Sequence, residues 1–130
     1  MKEQFIHIEE DGAKLYYSDR EMHTHHREDG PAVEWASGDK EWWIDDQLHR
    51  EDGPAVEWAS GDKSWYIKGE RHREDGPAIE YANGYKAWYI NGELLSEDEF
   101  NARMNTVTEL TLEDIAEKFG VSVDQLKIKK

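Results

Sequence analysis

His-Arg-Glu-Asp-Gly-Pro-Ala occurs three times, at His26 to Ala32, His49 to Ala55 and His72 to Ala78. Each copy sets an imidazole, a guanidinium and two carboxylates side by side. Arginine and histidine could hold a phosphate, and Glu-Asp could take a cation or handle a proton. His23, His25 and His26 cluster just ahead of the first copy. Neutral imidazole is a common metal ligand, but the chain has no cysteine and this spacing matches no zinc pattern. Acid–base catalysis needs one asymmetric, desolvated site, whereas a repeated Glu-Asp offers several equal ones. No Ser-His-Asp order and no phosphate-cradling glycine loop stands out. The expectation is a protein that is not an enzyme, with no catalytic residue, no metal and no cofactor.

The elements that must position these residues follow from the period. Successive motifs start 23 residues apart, and the same step relates Gly38, Gly61 and Gly84, then Lys40, Lys63 and Lys86, then Trp42, Trp65 and Trp88. A fixed period of this length signals a stacked repeat array. Each full repeat reads as one β-hairpin. Ala32 to Ala36 alternates, Ser37-Gly38-Asp39 turns, and Lys40 to Ile44 returns. Asp45-Asp46, Lys68-Gly69 and Asn91-Gly92 mark the next turn, with Asp-Asp the poorest of the three. Pro31, Pro54 and Pro77 stand at strand starts, where a missing donor is tolerated. By period-2 alternation along the strands, one face is expected to collect Val33, Trp35, Trp42 and Ile44, Val56, Trp58, Trp65 and Ile67, and Ile79, Tyr81, Trp88 and Ile90. These twelve are the expected core. The other face collects Glu34, Glu57 and Glu80 with Trp43, Tyr66 and Tyr89.

Residues 1–25 read as an incomplete hairpin cap, because Lys14, Tyr16 and Tyr17 follow Gly12 as Lys40, Trp42 and Trp43 follow Gly38, without the motif. Residues 26–95 hold the three repeats. Residues 96–130 form a helical cap or appendage. In it Ser96 to Glu99 is a capping box opening a short helix, with Phe100 and Met104 turned toward the last hairpin. The fold class is mainly β, tandem antiparallel hairpin repeats with a small α-helical or βααβ appendage.

The motif, the glycine turn and Trp-Tyr-Ile-x-Gly together resemble a MORN-repeat variant, of the type found in tailed-phage and bacterial proteins. The resemblance covers about residues 26–95. It implies hairpins side by side in an elongated sheet that serves as scaffold or binding surface, with no shared catalytic residues. It also implies a host-takeover or counter-defence role, acting in the host cytoplasm if the chain is phage-encoded. Asp45-Asp46 and the missing first motif depart from the pattern. Further on, Thr111 to Leu126 resembles LysM, and Ile115 to Ser122 resembles the start of a helix-turn-helix. A DNA reader would need a longer, basic second helix.

Composition narrows the partners. Net charge is −14, from 30 acidic against 16 basic residues. That disfavours nucleic acid and anionic membranes, which need basic patches, and favours encounter with a basic partner. No apolar run is long enough for a signal peptide or a bilayer span, so the expectation is cytoplasmic. Three functional readings remain. The first is a non-catalytic scaffold binding a protein partner through Trp43, Tyr66, Tyr89, Glu34, Glu57 and Glu80, by cation–π contact and ion pairing. The second is a homo-oligomeric sponge holding a nucleotide-like molecule through His26, Arg27, His49, Arg50, His72 and Arg73. In the bland form of that reading, the same arginines and Asp29, Asp52 and Asp75 form a ladder that sets the repeat spacing. The third is a DNA-binding regulator using the C-terminal helices.

Overall fold

The structure, a computed structural model, describes residues 3–104. The chain divides into two units, Met1–Leu95 and Ser96–Lys130. The expectations for Thr106 to Lys130 lie outside the described residues.

The first unit is built from short antiparallel strands. They are β1 (Phe5–Ile8), β2 (Lys14–Tyr17), β3 (Val33–Glu34), β4 (Lys40–Glu41), β5 (Trp43–Ile44), β6 (Gln47–Leu48), β7 (Val56–Glu57), β8 (Lys63–Ser64), β9 (Tyr66–Ile67), β10 (Glu70–Arg71), β11 (Ile79–Glu80), β12 (Lys86–Ile90) and β13 (Glu93–Leu95). Nine of them form one sheet in the order β1-β2-β3-β4-β7-β8-β11-β12-β13, while β5-β6 and β9-β10 are separate two-stranded ribbons. Each repeat therefore contributes two hairpins rather than one. The first closes through a loop in which Trp35 N–H donates to Asp39 C=O and Gly38 N–H to Trp35 C=O, with Gly38 at φ +99°. The chain then leaves the main sheet beyond Trp42 and enters the ribbon hairpin.

The second hairpin turn of each repeat has both central residues at positive φ: Asp45 and Asp46 at 47° and 65°, Lys68 and Gly69 at 49° and 83°, Asn91 and Gly92 at 49° and 80°. That is the type I′ pattern, whose twist matches paired strands. Asp45-Asp46 adopts it as fully as the glycine-bearing pairs do, since aspartate tolerates the left-handed region.

Pairing fixes the faces. Val33 lies opposite Glu41 and Glu34 opposite Lys40. Directly opposed residues project to the same side, and neighbours along a strand to opposite sides. One row across the sheet runs Lys14, Glu34, Lys40, Glu57, Lys63, Glu80, Lys86, alternating in charge at every step. The row on the other side runs Leu15, Val33, Glu41, Val56, Ser64, Ile79, Ala87. The expected core is corrected accordingly. Val33, Val56, Ile79 and Ile90 are buried, joined by fully enclosed Ala32, Ala55 and Ala78 at 0% exposure. Trp35, Trp58 and Tyr81 are instead 42%, 38% and 36% exposed. Trp42, Trp65, Trp88, Ile44 and Ile67 are only half-buried. Along the repeats the core is a thin line of alanine, valine and isoleucine, with Tyr16 and Tyr17 buried in the first hairpin and the tryptophans outside it.

In the second unit, residues 97–104 are helical. Glu99 N–H donates to Ser96 Oγ, and Ser96 N–H donates back to Glu99 Oε1, both at 3.1 Å. This is the reciprocal capping box that the sequence suggested.

Candidate functional site

The two sides of the sheet carry different chemistry. On the Lys/Glu side, the repeated motif forms one arrangement three times. The arginine Nε donates to the aspartate two residues on, at 3.0, 3.0 and 2.8 Å for Arg27, Arg50 and Arg73. Its Nη1 donates to the proline carbonyl at 3.1 Å in each copy, and to Glu34, Glu57 and Glu80 at 3.3, 3.3 and 3.2 Å. The guanidinium also lies 4.0, 3.9 and 3.9 Å from the ring centres of Tyr16, Trp42 and Trp65. Each arginine is thus clamped to an aromatic ring of the preceding repeat.

The histidines make the complementary clasp to the following turn. Nδ1 of His26, His49 and His72 accepts the backbone N–H of Asp45, Lys68 and Asn91 at 3.0, 2.9 and 2.9 Å. Accepting at Nδ1 sets the proton of the neutral ring on Nε2, which faces Glu28, Glu51 and Glu74. Asp39 and Asp62 add a further clasp, each accepting from the Ala59 or Ala82 N–H of the next repeat at 2.7 Å. Where a third such aspartate would stand, the last repeat has Tyr85.

The motif residues are therefore engaged inside the array: each arginine packs on a ring of the preceding repeat, and each histidine ties its motif to the second turn of its own repeat. Recesses of about 690 and 670 Å³ lie between successive motifs. The first is lined by Arg27, Arg50, Trp42 and His49, but also by Glu28, Asp29, Glu51 and Asp52. Four carboxylates face two guanidiniums there, and both guanidiniums already have carboxylate and carbonyl partners.

The other side is aromatic. Glu41 accepts the indole N–H of Trp35 and of Trp43, both at 2.8 Å, which places the two rings on its own side. Hence Trp43, Tyr66 and Tyr89 do not share a face with Glu34, Glu57 and Glu80. The expected aromatic and acidic surface is two surfaces back to back. The aromatic side has three parallel rows. Trp35, Trp58 and Tyr81 border one edge, with Trp58 edge-on to Tyr81 at 6.5 Å and Tyr81 beside Tyr85 at 5.4 Å. The Val33 to Ala87 row forms the floor. Along the other edge Tyr17, Trp43, Tyr66 and Tyr89 stand opposite His25, Leu48, Arg71 and Leu94.

That second edge is interlocked. His25 stacks on Tyr17 at 4.7 Å and meets Trp43 at 5.4 Å. The Arg71 guanidinium lies 5.6 Å from the Tyr66 ring centre and 5.4 Å from that of Tyr89. Burial, then the carboxylates of Glu9 and Asp19, raise the Tyr17 phenol above its ordinary range. The three clustered histidines have separate uses: His25 stacks, His26 clasps the turn, and His23 gives its backbone N–H to the Asp19 carboxylate. Among the described residues, no group of three or more His, Asp or Glu side chains is arranged to hold a metal ion.

Compared with protein-family models, with characterised proteins and with solved structures, the chain finds no match. Its own geometry therefore has to speak for its function. Among the described residues, no helix is long and apolar enough to cross a membrane. Sequence reasoning missed Arg71, Ser64 and the exposure of Trp35, Trp58 and Tyr81. The signal was in the breaks of the period: residues 41, 64 and 87 are Glu, Ser and Ala, and residues 25, 48, 71 and 94 are His, Leu, Arg and Leu.

Proposed function

We propose that this chain is a non-catalytic binding protein, a MORN-like hairpin scaffold that takes a protein partner on its aromatic side. The observation that carries the reading is the row Trp35, Trp58 and Tyr81, each more than a third exposed, beside Trp43, Tyr66 and Tyr89. A large ring left in water costs hydrophobic free energy that repeat stacking alone does not require. Trp and Tyr are the side chains that anchor interfaces. The charged side has a different task, since its arginines, with Asp39 and Asp62, join successive repeats, and the histidines tie each motif to the second turn of its own repeat. The acidic net charge then steers a basic partner without supplying the contacts. A host-takeover or counter-defence role would be one setting for such binding.

The nucleotide-sponge reading draws less support, because the recesses between motifs hold twice as many carboxylates as guanidiniums. To test the binding reading, a photo-crosslinking residue is placed at position 58 or 81, and at 63 on the charged side. Adducts to one partner from 58 and 81 but not 63 are expected. Binding of that purified partner should then weaken at least tenfold in Trp58→Ser/Tyr81→Ser. Adducts from 63 alone would overturn the reading.

A further inference from the structure

Arg27, Arg50 and Arg73 each have two carboxylate partners, but Arg71 has none among the described residues. It lies half-buried between Tyr66 and Tyr89, with Nε enclosed and without a hydrogen-bond partner. Packing does not explain the charge, because the same rung holds Leu48 and Leu94 in the flanking repeats. On the floor of the same side, two residues before Tyr66, Ser64 is 2% exposed and its Oγ also lacks a partner. Unpaired buried donors are costly, and an unpaired guanidinium more so. Both departures from the period thus fall on one short stretch of the aromatic trough.

We propose that Arg71, supported by Ser64, is a carboxylate-binding station, and that the partner segment lying in the trough carries an Asp or Glu side chain there. This deepens the aromatic-side reading and rests on it. The planar guanidinium accepts a carboxylate through two parallel N–H donors, and the flanking tyrosines exclude water from the pair. Among the described residues Arg71 is the arginine on this side without a carboxylate partner, so charge complementarity selects an acidic side chain at that point. The rest of the segment is apolar, matching the rings on either edge. The overall charge of −14 disfavours a segment with several acids.

The variant that removes the guanidinium is Arg71→Leu, which installs the residue found on this rung at positions 48 and 94 and should therefore fold. A displayed library of random twelve-residue peptides is selected on the full chain and on Arg71→Leu. The strongest peptide is then titrated by tryptophan fluorescence, together with its version carrying Gln for the acid. Peptides selected on the full chain should share an acidic residue at a fixed distance from apolar ones, and those selected on Arg71→Leu should not. Either Arg71→Leu or the Gln peptide should weaken binding at least tenfold, and the two together no further. Peptides without a fixed acid, or equal binding of the Glu and Gln forms, would overturn the assignment. If such peptides still fail to bind Trp58→Ser, the aromatic-side reading survives and Arg71 alone is misassigned. Peptides indifferent to both substitutions, or none enriched, would overturn both. A peptide whose acid is only its free C-terminus, losing affinity on amidation, would overturn the side-chain form.

Discussion

Gly53 shows most sharply how the motif joins repeats. Its backbone is not in the left-handed region, so an alanine there meets no intrinsic backbone penalty. The obstacle is the neighbouring side chain: a Cβ on Gly53 would lie 2.9 Å from Arg50 Cζ and 3.1 Å from its Nε and Nη1. Gly53→Ala must therefore lift the guanidinium off Trp42 and away from Pro54 C=O. The ring contact contributes about 1 kcal/mol and the carbonyl hydrogen bond about 1 kcal/mol. The pairs with exposed Asp52 and half-exposed Glu57 add together about 0–1 kcal/mol after solvent screening. Arg50→Ala should cost the sum, about 2–3 kcal/mol, and Gly53→Ala about 1–2 kcal/mol, since the arginine can move partway. In the Arg50→Ala background the clash is gone. Gly53→Ala should then be near neutral, or stabilising by about 0.5 kcal/mol through a less flexible unfolded chain. Urea unfolding followed by tryptophan fluorescence gives the double-mutant cycle. An equal cost of Gly53→Ala in both backgrounds would refute the packing of arginine over glycine, and with it the account of why the motif contains glycine.

Other consequences can be checked alongside. Asp39→Ala and Asp62→Ala each leave an inter-repeat backbone N–H without its acceptor and should each cost about 1 kcal/mol in thermal unfolding; clearly unequal losses would contradict their equivalence. His49→Ala should speed amide hydrogen exchange at Lys68 and leave that at Asn91 unchanged, because each turn has its own histidine. In the capping box, the Ser96 backbone N–H, and then its hydroxyl, hold the Glu99 carboxyl below its usual range. The cap's contribution is therefore present above the ordinary glutamate range and is lost as pH falls through the depressed value. NMR titration should show Glu99 ionising below a free glutamate and Ser96→Ala moving it back up; an unshifted Glu99 would refute the cap.

Much of the fold was legible because the 23-residue period fixes which residues are equivalent, whatever their conformation. The hairpins, the Gly38-type turn and the Asn91-Gly92 turn follow from local backbone preferences, which sequence expresses directly. The faces were misread at Trp42. Five residues, 35 to 39, separate Glu34 from its partner Lys40, and an odd loop keeps odd-numbered positions on one side. Trp43 therefore belongs with Val33 and Trp35, while Trp42 belongs with Glu34. Hydrophobicity points the other way because Trp42 is covered by Arg50, an arginine from a later turn whose arrival no local pattern announces. The motif's charges looked available for ligands because each arginine meets its carboxylate and carbonyl partners, 2 to 7 residues on, only through the bend of the motif, while each histidine's turn lies 19 residues on. Arg71 and Ser64 were visible only as departures from the period, and their meaning depends on a register that the sequence leaves open.

On the proposed reading the two sides divide the labour, the charged side holding the array together and the aromatic side taking a partner. Trp58→Ser/Tyr81→Ser tests it most directly when its urea midpoint is compared with that of Arg50→Ala. The exposed rings should cost less than the single arginine, leaving a folded array that no longer binds. A double variant that unfolds more readily than Arg50→Ala would contradict the claim, because those rings would then be core.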